Sequence, residues 1–280
     1  MNAVNHCTIT PVRQEPSERS EQVTQLLFGE PCEVLERLPR WTKVRAIRDG
    51  QEGWVDSKML TELNAKHPIQ PTGNEAVVAL PMAIATDMET GDERMLTLGT
   101  GLPNYAHGTF EVLNRKYLID PTTVVIPQQA HALSPANIAL SLLNTPYLWG
   151  GKNAMGMDCS GFTQVVYNVL GIRLLRNASE QITQGVPVPS LAEAQPGDLA
   201  FFDHADRDPE ATNISHVGLL LDAGHIIHCS GCVHIDAIDE TGIRLPNGER
   251  THHLVQIKRY RESRQRSTCF DIALEPKLIE

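Results

Sequence analysis

Cys159 stands in Gly-Met-Asp-Cys-Ser-Gly-Phe, residues 156–162, directly before the run TQVVYNVLG. A thiol can be a small core hydrophobe, a metal ligand, half of a disulfide or a nucleophile. At the start of a helix it faces unpaired backbone N–H groups and the positive end of the macrodipole. Both favour the thiolate, and thiol pKa values at such positions fall well below about 8.5. The expectation is therefore an activated Cys159, which still needs a base. Two histidines offer themselves in SHVGLLL-DAG-HIIHCS. If Asp222, Ala223 and Gly224 form the loop of a hairpin, Leu221 pairs with His225 and His216 with Ser230. His216 and His228 then emerge on one face as diagonal neighbours roughly 7 Å apart, while His225 points to the other. Nucleophile, base and orienting residue would thus be Cys159, His216 and His228.

The remaining cysteines, Cys7, Cys32, Cys229, Cys232 and Cys269, are too scattered for a disulfide framework. Cys229 and Cys232 form a C-x-x-C with His225, His228 and His234 close by. Zinc sites usually need two separated ligand pairs, and a redox C-x-x-C normally opens a helix. A strand-and-turn context with Gly231 inside it favours two small packing residues flanking a turn.

These side chains need elements to hold them. From Ala130, LSPANIALSLLNTPYLWGG reads as a helix with Ser134 as N-cap and Pro135 at the first position. Its apolar stripe is Ile138, Ala139, Leu142 and Leu143. CSGFTQVVYNVLG gives the second helix, with Phe162, Val165, Val166, Val169 and Leu170 inward and Gly171 as its left-handed stop. The strands GDLAFF, SHVGLLL, HIIHCS, VHIDAI and LVQIKRY follow, an α+β order. Before all this, residues 1–64 break into about five short strands with a hairpin signal at Asp49-Gly50, as in a small barrel. NAKHPIQPTGNE reads as a linker, and residues 75–128 as a second, degenerate barrel without a motif. Residues 263–280 form a tail.

Composition is that of a globular protein, 41% apolar and 21% charged. A net charge of -10, from 34 acidic and 24 basic residues without a Lys/Arg stripe, argues against nucleic acid and anionic membranes. No run of about 18 apolar residues exists to span a membrane. With Met1 as the true start, the absence of a signal-like opening points to the cytoplasm.

WTKVRAIRDGQEGWVDSKML resembles a bacterial SH3-like domain, and the resemblance covers about the first 64 residues. TPYLWGG, MDCSGFTQVVY, AQPGDLAFF, SHVGLLL and IIHCS, in this order, resemble the motifs of the NlpC-type cell-wall cysteine peptidases. The resemblance implies a papain-like domain over residues 130–262, preceded by one or two SH3-like barrels. It implies Cys159 as nucleophile, His216 as general base, His228 as the third residue and Tyr147 beside the substrate carbonyl, with no metal or cofactor required. The implied substrate is a peptidoglycan-derived peptide, cut between γ-linked D-glutamate and a diamino acid. Family members with amino-terminal barrels need a free L-Ala amine. Asp158 and Ser160 match the pair that reads it, and Glu15 would be a barrel carboxylate serving the same amine. One departure is Gln51, where related barrels carry tyrosine in D-G-Y-x-G-W. Two alternatives stand beside this reading: an amidase or acyltransferase acting on another bond, and a non-catalytic module that binds wall peptides.

Overall fold

The computed structural model describes residues 2–63, 75–129, 133–204, 213–245 and 247–260. The tail at 263–280 and nearly all of the linker lie outside the described residues. The first seven strands are β1 (Asn2–Asn5), β2 (Ile9–Arg13), β3 (Gln22–Leu27), β4 (Pro31–Arg37), β5 (Trp41–Ala46), β6 (Glu52–Asp56) and β7 (Leu60–Glu62). They form one antiparallel sheet in the order β3-β2-β6-β5-β4-β1-β7. Alternation puts Ala3, Val12, Leu26, Cys32, Val44, Ala46 and Val55 into its core. The Asp49-Gly50 turn joins β5 to β6, with Gly50 at φ 79°, which a residue with a Cβ adopts only under strain.

Two smaller antiparallel sheets follow. One, in the order β10-β9-β13-β12, holds β9 (Met82–Asp87), β10 (Glu93–Thr97), β12 (Thr109–Val112) and β13 (Arg115–Ile119). The other, β11-β8-β14, holds β8 (Ala76–Val78), β11 (Gly101–Leu102) and β14 (Val124–Val125). Their core is shared with the first sheet: Val4 and Phe28 enter it, and the Phe28 ring meets Tyr117 edge-on at 5.4 Å. This segment also grips the rest of the chain. Thr97 Oγ1 accepts from the Ala154 N–H at 3.0 Å, and Gly99 O accepts from Asn168 Nδ2 at 2.6 Å.

The carboxy-terminal half begins with α1 (Pro135–Leu140), capped by Ser134 with Pro135 in its first turn. The helix is shorter than its apolar stripe suggests. Asn144 takes φ 68° and donates its N–H to Val233 O, and Pro146 follows, so the chain turns before Leu143, which stays 39% exposed. A two-strand ribbon, β15 (Lys152–Asn153) and β16 (Gly156–Met157), leads into α2 (Cys159–Val169). Asp158 caps α2, and Gly171 at φ 76° follows its end. The buried surface of α2 extends beyond one stripe, since Thr163, Gln164 and Tyr167 are buried along with Phe162, Val165, Val166 and Val169. Each of the large apolar side chains contributes roughly 1.5–3 kcal/mol through burial.

Beyond the short α3 (Ala178–Gln181) come β17 (Val186–Val188), β18 (Leu199–His204), β19 (His216–Leu220), β20 (His225–Ser230), β21 (Cys232–Asp239), β22 (Gly242–Arg244) and β23 (Arg250–Arg259). They make an antiparallel sheet in the order β17-β23-β18-β19-β20-β21-β22, with β22 also pairing β23. Helix α2 packs across β19 and β20, burying Phe162 and Val166 against Val217, Leu219 and Ile227. Among the described residues no helix is long and apolar enough to cross a membrane.

Candidate active site

The local sequence of α2 explains how Cys159 is held. Asp158 Oδ1 accepts from the Gly161 N–H at 2.7 Å, which fixes the first turn, and Gly151 O closes over it by accepting from the Asp158 N–H. A Cβ at position 161 would stand 2.0 Å from Gly151 O, so only glycine fits there. Cys159 is thereby placed at the head of the helix, 8% exposed, with the backbone N–H groups of Val217 and Ser160 at its sulfur.

That placement does not lower its pKa, which corrects the expectation from helix position alone. Burial pushes the Cys159 thiol up to about 12, and the neighbouring Asp158 carboxylate adds to the rise. The two backbone N–H groups and Arg176 act the other way and are outweighed. At rest the sulfur is therefore a thiol, and its proton must be taken by a base during reaction.

The histidine hairpin has the register that the three-residue loop implies. Gly218 pairs with His228 and Leu220 with Ile226, while the Leu221 N–H donates to His225 O at 2.9 Å. His216 and His228 accordingly share a face, with His216 Nε2 2.8 Å from His228 Nδ1 and the rings nearly perpendicular. Gly218 between them is a packing requirement: a Cβ there would stand 2.8 Å from His228 Cβ. His225 lies on the opposite, exposed face against Asp222.

A residue that the sequence reading missed completes the chain of contacts. Asp236 Oδ2 lies 3.1 Å from His228 Nε2. A carboxylate only accepts, so His228 carries its proton on Nε2 and uses Nδ1 to accept from His216 Nε2–H. The ring nitrogen of His216 that carries a lone pair in this arrangement is Nδ1. Burial lowers the pKa of His228, against the raising effect of the Asp236 hydrogen bond. The signal for Asp236 was present in the second hairpin. His228 pairs with His234 across the turn at Gly231, so residue 236 is a diagonal neighbour of His228 on the same face. His252, on β23, adds a ring centroid 4.4 Å from that of His216.

The C-x-x-C flanks this turn. Cys229 is buried, with its thiol donating to Met157 O, and burial pushes its pKa up. Tyr147 is half-buried near Cys159, and burial pushes its phenol up, so that it stays a donor.

Tyr147, Asp158, Cys159, Ser160, Ser215 and Asn177 line a solvent-open cleft. Its opposite wall is the amino-terminal barrel, through Gln14, Glu21, Val23 and Gln51. The barrel is locked in place: Gln25 Oε1 accepts from the Lys152 N–H at 3.0 Å and from Asn153 Nδ2 at 2.7 Å, and Lys152 Nζ pairs with Glu30 at 3.0 Å. Glu15 is exposed and does not line the cleft, a correction to its expected role. The barrel carboxylate that does is Glu21, which accepts from Trp149 Nε1 at 2.6 Å. The chain extends past the bend at Ser17–Ser20, and the side chain that reaches the cleft comes from the edge of β3.

Asp158 and Ser160 do face the cleft, but their polar atoms are already engaged. Arg176, 1% exposed, holds Asp158 at both oxygens, 3.0 and 2.5 Å, and donates to Ser160 Oγ at 2.8 Å. The Gly150 N–H donates to Asp158 Oδ2 as well. Arg176 Nε reaches Thr24 Oγ1 of the barrel at 3.0 Å. The charge of Asp158 is thus balanced by Arg176, and Glu21 is the second carboxylate that lines the cleft.

A helix-start cysteine, with the His216–His228–Asp236 chain on the antiparallel strands that α2 packs across, defines a papain-like cysteine peptidase domain. The chain carries an NlpC/P60 domain behind a bacterial SH3 domain: the NlpC/P60 family matches residues 144–265, and the bacterial dipeptidyl-peptidase Sh3 domain matches residues 12–60. The chain is similar to the gamma-D-glutamyl-L-lysine dipeptidyl-peptidase of Bacillus subtilis (strain 168), at 29% identity over 218 residues, 73% of this chain and 71% of that protein. It is also similar to dipeptidyl-peptidase 6 of Lysinibacillus sphaericus, at 26% identity over 86% of this chain and 93% of that one. Its fold matches that of an NlpC/P60 family protein from Bacillus cereus ATCC 10987 with a TM-score of 0.76 and 22% identity, covering 93% and 99% of the two chains.

Proposed function

We propose that this cysteine peptidase cleaves the amide between γ-D-glutamate and a diamino acid in peptidoglycan stem peptides, releasing L-Ala-γ-D-Glu from peptides with a free amino-terminal L-Ala. His216 Nδ1 takes the Cys159 proton as sulfur attacks the γ-carbonyl carbon, and the backbone N–H of Cys159 and the Tyr147 hydroxyl donate to the oxyanion. His216 returns the proton to the leaving amine of the diamino acid. Water, deprotonated by the same ring, then hydrolyses the thioester to free dipeptide and thiol. His228, steadied by Asp236, keeps the His216 proton on Nε2.

Recognition of the amine falls to Glu21, with the Gln51 carbonyl as a second acceptor in place of the tyrosine of related barrels. The barrel wall closes that end of the cleft and so favours a short peptide over an intact wall strand, in keeping with turnover of released peptides in the cytoplasm.

The observation that carries the reading is the cleft itself, with Cys159 on one side and a barrel wall bearing Glu21 and Gln51 on the other. Incubation with L-Ala-γ-D-Glu-L-Lys and its meso-diaminopimelate counterpart, analysed by mass spectrometry, tests it. Wild type should release the dipeptide, Cys159→Ala should not, and an N-acetylated substrate should be cut at least ~100-fold more slowly, because its amide cannot pair with a carboxylate. No dipeptide from any free-amine peptide would overturn the proposal.

A further inference from the structure

We propose that His228, His234 and Asp236 form a binding site for a borderline first-row divalent cation, Zn²⁺ being the probe, and that its occupation switches the peptidase off. One ligand atom from each of His228, His234 and Asp236 lies within 4.8 Å of those of the other two. Both histidine nitrogens stand 3.1 Å from the same carboxylate oxygen. A tetrahedral centre with bonds of about 2.0–2.1 Å puts its ligand atoms ~3.3 Å apart, close to these two edges. Two imidazoles and a carboxylate are the donor set of many zinc sites, and they leave a fourth position for water.

The hydrogen-bond pattern directs two acceptors at one point, where a positive centre fits. His234 Nδ1 lies 2.7 Å from Cys232 O, a pure acceptor, so that nitrogen carries the ring hydrogen. The neutral ring therefore turns the Nε2 lone pair toward Asp236 Oδ2, another pure acceptor. Lone pair faces lone pair across 3.1 Å, and only a proton or a metal ion makes the contact attractive. The His234 side chain is 33% exposed, whereas those of His228 and Asp236 are 2% and 9% exposed, so the cation enters over His234.

The consequence for activity rests on the reading given under Proposed function and follows from tautomers alone. A metal on His228 Nε2 obliges that neutral ring to carry its hydrogen on Nδ1. His228 Nδ1–H then donates to His216 Nε2, 2.8 Å away, instead of accepting from it. His216 must then carry its hydrogen on Nδ1, and the lone pair that takes the thiol proton is gone. The hydrogen of His216 Nε2 passes across the shared contact to His228 Nδ1, His228 Nε2 gives its proton to solvent and His216 Nδ1 takes one up, so the two neutral rings hold two hydrogens before and after and there is no redox step.

Titration calorimetry of Zn²⁺ into Cys159→Ala, in which the reactive thiol cannot compete, should give one site per chain. Adding His234→Ala should weaken it at least ~10-fold. Co²⁺ should give tetrahedral d–d bands with the first protein, and these should be lost with the second. In the activity arm, His234→Ala should keep basal turnover within ~2-fold and need at least ~10-fold more Zn²⁺ for inhibition, with a chelator restoring both proteins. Circular dichroism confirms folding, and His234→Gln, which keeps the bulk, should behave like His234→Ala. Equal Zn²⁺ affinity with and without His234, or binding abolished by Cys159→Ala, would overturn the proposal. If wild type cleaves no stem peptide, the proposed function fails while the calorimetric result still decides the site.

Discussion

Replacing Arg176 with methionine should cost far more than one surface arginine does. Its guanidinium is 1% exposed and makes four hydrogen bonds, two to Asp158, one to Ser160 and one to Thr24. Methionine keeps most of the volume but leaves the Asp158 carboxylate buried with only the neutral donors Gly150 N, Gly161 N and Ser160 Oγ. Stripping one partner from a buried pair costs about 3–5 kcal/mol. At about 2–4 °C per kcal/mol for a chain of this size, the midpoint of thermal unfolding should drop by roughly 6–20 °C. Asp158→Asn alone should lose a similar amount, now for an uncompensated guanidinium. The double variant Arg176→Met, Asp158→Asn buries no charge and should recover all but about 1–2 kcal/mol of the wild-type stability. Differential scanning calorimetry on the four proteins completes the cycle. If Arg176→Met costs no more than about 1 kcal/mol, or if the two losses simply add within about 0.5 kcal/mol, the carboxylate is not internally compensated. Asp158 would then again be available to a substrate amine.

Asp236→Asn should lower kcat by about 10- to 100-fold with little change in KM. It removes the anion one link behind the residue that orients the base, a position where direct substitution costs about 10⁴ in serine triads. In His216→Ala, alkylation of Cys159 by iodoacetamide should be slow at neutral pH and should rise about tenfold per pH unit up to pH 10. A pKa raised to about 12 leaves only about 10⁻⁴ of the thiol ionised at pH 8, and a plateau near neutrality would refute this order. Glu21→Gln should raise KM for a free-amine peptide at least ~10-fold and leave an N-acetylated peptide unaffected; steady-state kinetics on the pair decides. Because the folded-state pKa of His228 is lowered from 6.5, the unfolded chain binds more protons as pH falls below about 6.5. Stability should therefore fall on acidification through that region, and less so in His228→Gln, by urea unfolding at each pH.

The part of the site that the sequence made legible is the part governed by strict periodicity. Strand alternation and a three-residue loop are enough to put His216 and His228 on one face, and the cap and glycine signals bound α2 closely. Applied once more across Gly231, the same parity brings Asp236 to His228. The C-x-x-C at that turn reads as two packing residues flanking a turn rather than as metal or redox chemistry, and its physical content is the hairpin it sits on. What local pattern cannot carry is long-range burial. Arg176 lies 17 residues beyond Cys159 in an irregular loop, and nothing there marks it for the interior; its partners are set by the docking of the barrel through Thr24. The choice between Glu15 and Glu21 depends on where the chain bends between β2 and β3. The end of α1 was set by a left-handed Asn144 bonded to β21.

The thiol shows the same division at the level of chemistry. Position at a helix start is a local property, and its effect on the sulfur is favourable but small beside desolvation by Phe162, Val217 and the sheet below. A buried thiol with a raised pKa gains reactivity only when a base of the correct tautomer stands ready, so control passes from the cysteine to the imidazoles. His216 has a usable lone pair as long as His228 Nδ1 accepts, and His228 accepts as long as its Nε2 proton is held by Asp236. Whatever competes for that proton's place, a second hydrogen-bond partner or a cation, acts on the sulfur through two rings without touching it. His234, which shares the face of His228 and Asp236 and is 33% exposed in its side chain, is where such a competitor reaches the pair from solvent.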